Sequence, residues 1–160
     1  MIGKKTIWAL IVAGALGMAA LVSLAERDVN ATTKAELMTH AKTDLEMLSR
    51  FITLDPMPEA ALWESVTLSG GSDWTLTALI TYAAADRAAL IAQMPPEPGG
   101  FTFPAPAWLP DDTAMFLQMT EGTIRSEHTL SPTPFFKSPL LNGNALAAGE
   151  TQLLIVLQTQ

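Results

Sequence analysis

Residues 74–82 read WTLTALITY, and their alternation decides how the rest of the chain is organised. Leu76, Ala78, Ile80 and Tyr82 fall on one side of an extended strand, and Thr75, Thr77, Leu79 and Thr81 fall on the other. A period of two over this length predicts a half-buried strand. Upstream, Val66, Thr67 and Leu68 read as a second strand, and Ser69-Gly70-Gly71-Ser72-Asp73 is a turn cluster, so the two strands form an antiparallel hairpin. Downstream, residues 84–94 have high helix propensity, with Leu90, Ile91 and Met94 as the side that lies on the sheet.

Further upstream the period is helical. Thr33 and Glu36 have the spacing of a capping box, and Leu37, Ala41, Leu45, Leu48 and Ile52 then form one apolar stripe. Lys34, Lys42, Asp44 and Glu46 fall largely off that stripe. The spacing predicts a helix from Thr33 to about Thr53, ended by Pro56 and Pro58. The stripe packs on the chain's own sheet, on a partner helix or on a second copy in a short coiled coil.

Residues 6–25, TIWALIVAGALGMAALVSLA, contain no charged side chain. Twenty residues at helical rise cover about 30 Å, the thickness of a bilayer's hydrocarbon core. Lys4 and Lys5 in front of this run keep that end cytoplasmic and place the remainder on the far side of the membrane, in the periplasm if the cell is Gram-negative. A cleavable signal peptide is the competing reading, because Ser23-Leu24-Ala25 fits a cut before Glu26, but the run is longer than a usual signal core. Ala9, Ala13 and Gly17 recur every fourth residue and are candidate packing positions for a second membrane helix.

The chain has 160 residues, 16 acids, 9 bases and no cysteine. A net charge of −7 removes the electrostatic footprint of nucleic-acid binding, and the lack of cysteine excludes disulfides, thiolate metal sites and a cysteine nucleophile. Beyond Lys5 there remain 7 bases against 16 acids, so the exported part carries −9.

Residues 95–110, PPEPGGFTFPAPAWLP, read as a semi-rigid extended loop, since proline fixes the backbone and removes donors. Its rings, Phe101, Phe103 and Trp108, either seal the loop onto the core or are candidate binding residues for a protein partner. Residues 114–120 and 123–130 both alternate around Glu121-Gly122, which predicts a two-residue hairpin. In that register Met119 faces Ile124, Leu117 faces Ser126 and Met115 faces His128, all on one side, with Phe116, Gln118, Arg125 and Glu127 on the other. Residues 131–149 read as irregular, with an Asn142-Gly143 turn. The closing TQLLIVL, apolar on both sides from Leu153 to Leu157, belongs in the middle of a sheet.

Little catalytic chemistry is encoded. Ser126 and His128 are two residues apart, but no orienting acid or oxyanion site accompanies them. His40 reads as a solvated side chain, and Asp111-Asp112 as a loop entry or turn cap rather than a metal site. No metal ligand set, phosphate loop or dinucleotide pattern is present, so neither a metal nor a cofactor is expected.

The expectation is an α+β chain in three parts. Residues 1–28 form a membrane anchor or signal peptide, residues 29–56 an amphipathic linker helix, and residues 57–160 an extracytoplasmic, mostly antiparallel sheet with one short packing helix. With no catalytic constellation, this describes a non-enzymatic binding or accessory protein of the cell envelope. Its partners are the membrane, crossed once, and a protein held by the proline-aromatic loop or the helix stripe. The alternatives are a soluble ligand- or peptide-binding domain released by cleavage after Ala25, or a small hydrolase.

Overall fold

A computed structural model describes residues 41–68 and 73–159. The apolar run at 6–25 with Ala9, Ala13 and Gly17, the Thr33/Glu36 capping box, Leu37, His40 and the Ser69–Ser72 turn lie outside the described residues. Mostly antiparallel β-structure with a few short helices makes up the rest, an α+β arrangement.

The hairpin at the centre of the sequence pattern forms β1 (Ala60–Thr67) and β2 (Trp74–Thr81), paired from Ala60↔Thr81 to Thr67↔Trp74. Helix α1 (Leu45–Phe51) precedes them and α2 (Ala84–Ala92) follows. The proline-rich stretch contributes two short strands, β3 (Pro96–Glu97) and β4 (Phe101–Pro104). Next come a one-turn helix α3 (Asp111–Ala114) and strands β5 (Met119–Thr120), β6 (Thr123–Ser126) and β7 (Thr129–Leu130). A 3₁₀ turn (Thr133–Phe135) leads into β8 (Leu140–Ala148) and β9 (Gln152–Thr159). The larger sheet has the order β1-β2-β9-β8-β7-β3, and β4-β6-β5 form a smaller one. Both proline-bearing strands, β3 and β4, sit at sheet edges, where a missing donor costs no ladder bond.

Both sides of the large sheet are covered. On one side Leu76, Ala78, Ile80 and Tyr82 meet Leu153, Ile155 and Leu157 of β9 under Leu48 and Ile52, Leu90 and Met94, and Phe135. On the other, Leu79, Leu146, Ala148 and Leu154 lie beneath Trp108, Leu109, Leu117 and Ile124. Strand β2 is therefore not half-buried as its alternation predicts. Thr75 and Thr77 are 8% and 3% exposed, and Leu79 on the same side enters a second core with Trp108, Leu109, Leu117 and Ile124. Strand β9 takes the central position expected of it, between β2 and β8.

Three further expectations are corrected. The helical run does not extend through residues 41–44. Lys42 instead pairs with the edge of β1, its N–H donating to the Trp63 carbonyl at 2.8 Å and its carbonyl accepting from Trp63 N–H at 2.9 Å. Asp44 then caps the helix by accepting from Met47 N–H at 2.9 Å. A short carboxylate competes with interior helix bonds and is most stable at this position, so Leu48 and Ile52 enter one core while Ala41 enters the other. The Glu121-Gly122 hairpin keeps the expected Met119↔Ile124 register, with φ of 51° and 73° at the turn, but the strand is only two residues long before Met119 gives way to helix and turn. Finally, residues 140–148, read as irregular, form the nine-residue strand β8.

Tyr82, the chain's one tyrosine, is fully buried, and its hydroxyl has no hydrogen-bond partner among the described residues. Burial pushes its pKa upward. The folded state thus holds the phenol proton more tightly than the unfolded chain. The associated stability is full below about pH 10 and is lost as pH rises past that value. Tyrosinate absorbance should appear only as the chain unfolds. Tyr82→Phe removes an unsatisfied donor and is expected to leave stability at neutral pH unchanged or raise it by about 1 kcal/mol, while extending the folded range to higher pH in a pH-jump denaturation series. Tyrosinate forming with the fold intact would overturn this.

Candidate functional site

The sequence PDDTAMFLQM after Trp108-Leu109 determines the most exposed apolar side chains among the described residues. Pro110 occupies the position before α3, and a chain of turn bonds follows: Ala114 N–H donates to the Pro110 carbonyl at 2.9 Å, Met115 N–H to Asp111 at 3.2 Å, Phe116 N–H to Thr113 at 3.0 Å and Leu117 N–H to Ala114 at 3.2 Å. Asp112 Oδ1 accepts from Thr113 N–H at 2.8 Å, and Thr113 Oγ1 donates to Gln152 Oε1 at 2.8 Å, tying the turn to the start of β9. Thr113 and Leu117, four apart and so on one side of a helical turn, point inward at 1% and 7% exposure. Their neighbours must point outward. Met115 is 86% exposed and Phe116 66%, and Met119 follows at 38% at the start of β5. The Phe116 ring lies against the β8–β9 turn, with its Cε2 only 3.3 Å from where a Cβ on Gly149 would stand.

Beside this ridge is a cleft of about 150 Å³ lined by Phe116, Gln118, Ser126 and His128. Ser126 and His128 do meet, but through the backbone. Ser126 Oγ donates to the His128 carbonyl at 2.8 Å and accepts from His128 N–H at 3.2 Å. That is a local turn contact; a hydroxyl prepared for nucleophilic attack would instead donate to the imidazole. A larger groove of about 330 Å³ runs between Thr43, Leu45, the first half of β1 and Pro110, and one of its few polar groups, Gln152, is already engaged by Thr113.

The ring residues of the proline-rich stretch separate. Trp108 is 3% exposed within the second core, its Nε1–H without a partner among the described residues. Phe101 and Phe103, two apart on β4 and therefore on one side, stack with centroids 5.9 Å apart and planes 12° apart. Both are half-buried, Phe101 against the second core. Asp111 and Asp112 form the first turn of α3. Among the described residues no group of three histidine or acidic side chains could hold a metal ion, and no helix is long and apolar enough to cross a membrane.

Met115 and Phe116 were not expected here. A strand through residues 114–120 puts Met115 on the inward side, whereas the helical turn turns it out. The available signal was Pro110-Asp111-Asp112-Thr113, a helix-start pattern with proline and acids in the first turn. No protein-family model, curated protein or solved structure matches the chain, so the functional reading rests on this surface itself.

Proposed function

We propose that the chain is a single-pass membrane-anchored, extracytoplasmic binding protein without enzymatic activity, serving as an accessory or assembly partner in an envelope complex. The observation that carries the binding role is the ridge. A methionine 86% exposed beside a phenylalanine 66% exposed leaves large apolar side chains in water, and such a patch marks an interaction surface. Methionine's flexible thioether adapts to a partner, and an aromatic anchor supplies contact area at low entropic cost. The anchor and its orientation are supported by the charge-free run at 6–25 behind Lys4 and Lys5.

The test is co-purification of the full chain from native membranes in mild detergent. The wild type is expected to retain a discrete partner. Met115→Ser with Phe116→Ser should lower the recovered partner by about 30-fold, the effect of losing an anchor worth about 2 kcal/mol. Val66→Ser, a control at another exposed apolar position on β1, should not lower it. Undiminished recovery with the double variant would remove the ridge from the interface. Alkaline extraction and intact mass test the anchor separately. A chain that begins at Glu26 and washes off the membrane would replace the anchored form with the released one.

A further inference from the structure

We propose that Asn142 is a site of spontaneous chemical modification, gated by the β8–β9 ladder. The chain has three asparagines, and they precede Ala31, Gly143 and Ala145. An asparagine loses its side-chain amide when the main-chain nitrogen of the following residue attacks its Cγ. Glycine makes this easiest, because no β-carbon stands beside that nitrogen. Hydroxide removes the Gly143 N–H proton, the nitrogen bonds to Asn142 Cγ, and the side-chain nitrogen leaves. It takes a proton from water to depart as ammonia, which restores the hydroxide and leaves a cyclic imide. Water then adds to either imide carbonyl and opens the ring, giving aspartate or the isomer whose main chain runs through the β-carbon.

The fold withholds the geometry that ring closure needs. Asn142 and Gly143 lie in β8 opposite Gln158 and Leu157 of β9, and a strand holds ψ extended, at about +135°. That torsion turns the Gly143 nitrogen away from the Asn142 side chain. Bringing the two together rotates ψ out of the strand region and parts Asn142 from Gln158. Access to water is not the barrier, since Asn142 is exposed. The ladder starts at Leu140↔Thr159 and shifts register before Asn142, so the gate opens by fraying of this end rather than by unfolding of the whole sheet. A Cβ at position 143 would collide with the backbone of β9. The close approach that requires glycine there also leaves the chain with a reactive asparagine beside it.

The experiment incubates the full chain, in mild detergent and mildly alkaline buffer, with and without denaturing urea. Mass spectrometry of the peptide covering β8 then reads the conversion of amide to acid at each asparagine. In urea, conversion is expected at Asn142 well before Asn144, which lies in the same strand but precedes alanine. Without urea, conversion at Asn142 should be at least about tenfold slower, the factor by which pairing lowers the open population at a frayed end. Asn142→Gln should abolish the early conversion in urea, because the longer side chain closes a larger ring far less readily. That comparison does not depend on the variant folding. Equal rates with and without urea would overturn the gate. Conversion at Asn144 as early as at Asn142, an early conversion that survives Asn142→Gln, or no conversion in urea would overturn the site itself.

Discussion

Trp63→Ala is expected to lower stability by about 3–5 kcal/mol, the range for truncating a buried aromatic. Trp63 is fully buried, and it joins three parts of the chain that have little else in common. Its backbone bonds Lys42 in both directions, and its Nε1–H donates to the Asp44 carbonyl at 3.3 Å, so one residue on β1 holds the segment leading into α1. Its ring packs at 5.8 Å from Phe51 at the end of that helix, and Lys42 Nζ stands 4.5 Å above it. Phe51 in turn makes an edge contact at 5.6 Å with Trp74 at the start of β2. Alanine would leave a cavity between α1 and the sheet and forfeit the indole bond. Since a domain's whole stability is about 5–15 kcal/mol, urea denaturation followed by far-ultraviolet circular dichroism should show a large fall in midpoint. Trp63→Phe should recover part of it, keeping ring packing but not the Nε1–H. A loss below about 1 kcal/mol for alanine would mean that α1 is not held against the sheet through this residue.

The parts of the fold visible in the sequence are those where one local signal has one structural meaning. LLIVL within β9 is apolar on both sides, which only a central strand satisfies, and the chain places it between β2 and β8. Glu121-Gly122 sets the Met119↔Ile124 register because both turn residues adopt positive φ. The parts that were not visible depend on distant contacts. Residues 114–120 alternate well enough for a strand, but Thr113 bonds Gln152, 39 residues away, and Leu117 reaches the second core, so a helical turn forms instead. The burial of Leu79 on the threonine side of β2 comes from the same layer, whose position no pattern within β2 records.

For the candidate site the consequence is an exchange of roles. Of the three candidate rings in the proline-rich stretch, Trp108 lies in the core, and Phe101 and Phe103 stack at the edge of the small sheet. Prolines hold the main chain extended, its two short strands pair at sheet edges, and Phe101 and Trp108 bind that stretch to the second core. The exposed apolar surface moves to Met115 and Phe116, because a single helical turn cannot bury both of its sides. An inward Thr113 and Leu117 require an outward Met115 and Phe116.

Gly143→Ala is expected to cost about 3 kcal/mol, through crowding at a strand interior rather than loss of a turn. Asn-Gly is a strong hairpin signal in isolation, yet these residues run through β8, opposite Gln158 and Leu157 of β9. The register shifts between Leu140 and Asn142, leaving Leu141 as the extra residue of a bulge, 46% exposed. Gly143 follows with φ of 151°, and the two strands approach so closely there that a Cβ would collide with the Val156 carbonyl oxygen and lie 2.9 Å from Leu157 Cα. Backbone atoms of a central strand cannot yield as a side-chain tip can. Gly122 provides the comparison, since its φ of 73° also favours glycine but nothing lies within 4 Å of a Cβ placed there. Gly122→Ala should therefore cost about 1–2 kcal/mol from backbone strain alone. Only Gly143→Ala should speed amide exchange at Val156 and Leu157, where the β8–β9 ladder must separate. Equal losses at the two positions, with exchange at β9 unchanged, would show that the strands tolerate a methyl group at the bulge and that the close approach does not determine the residue.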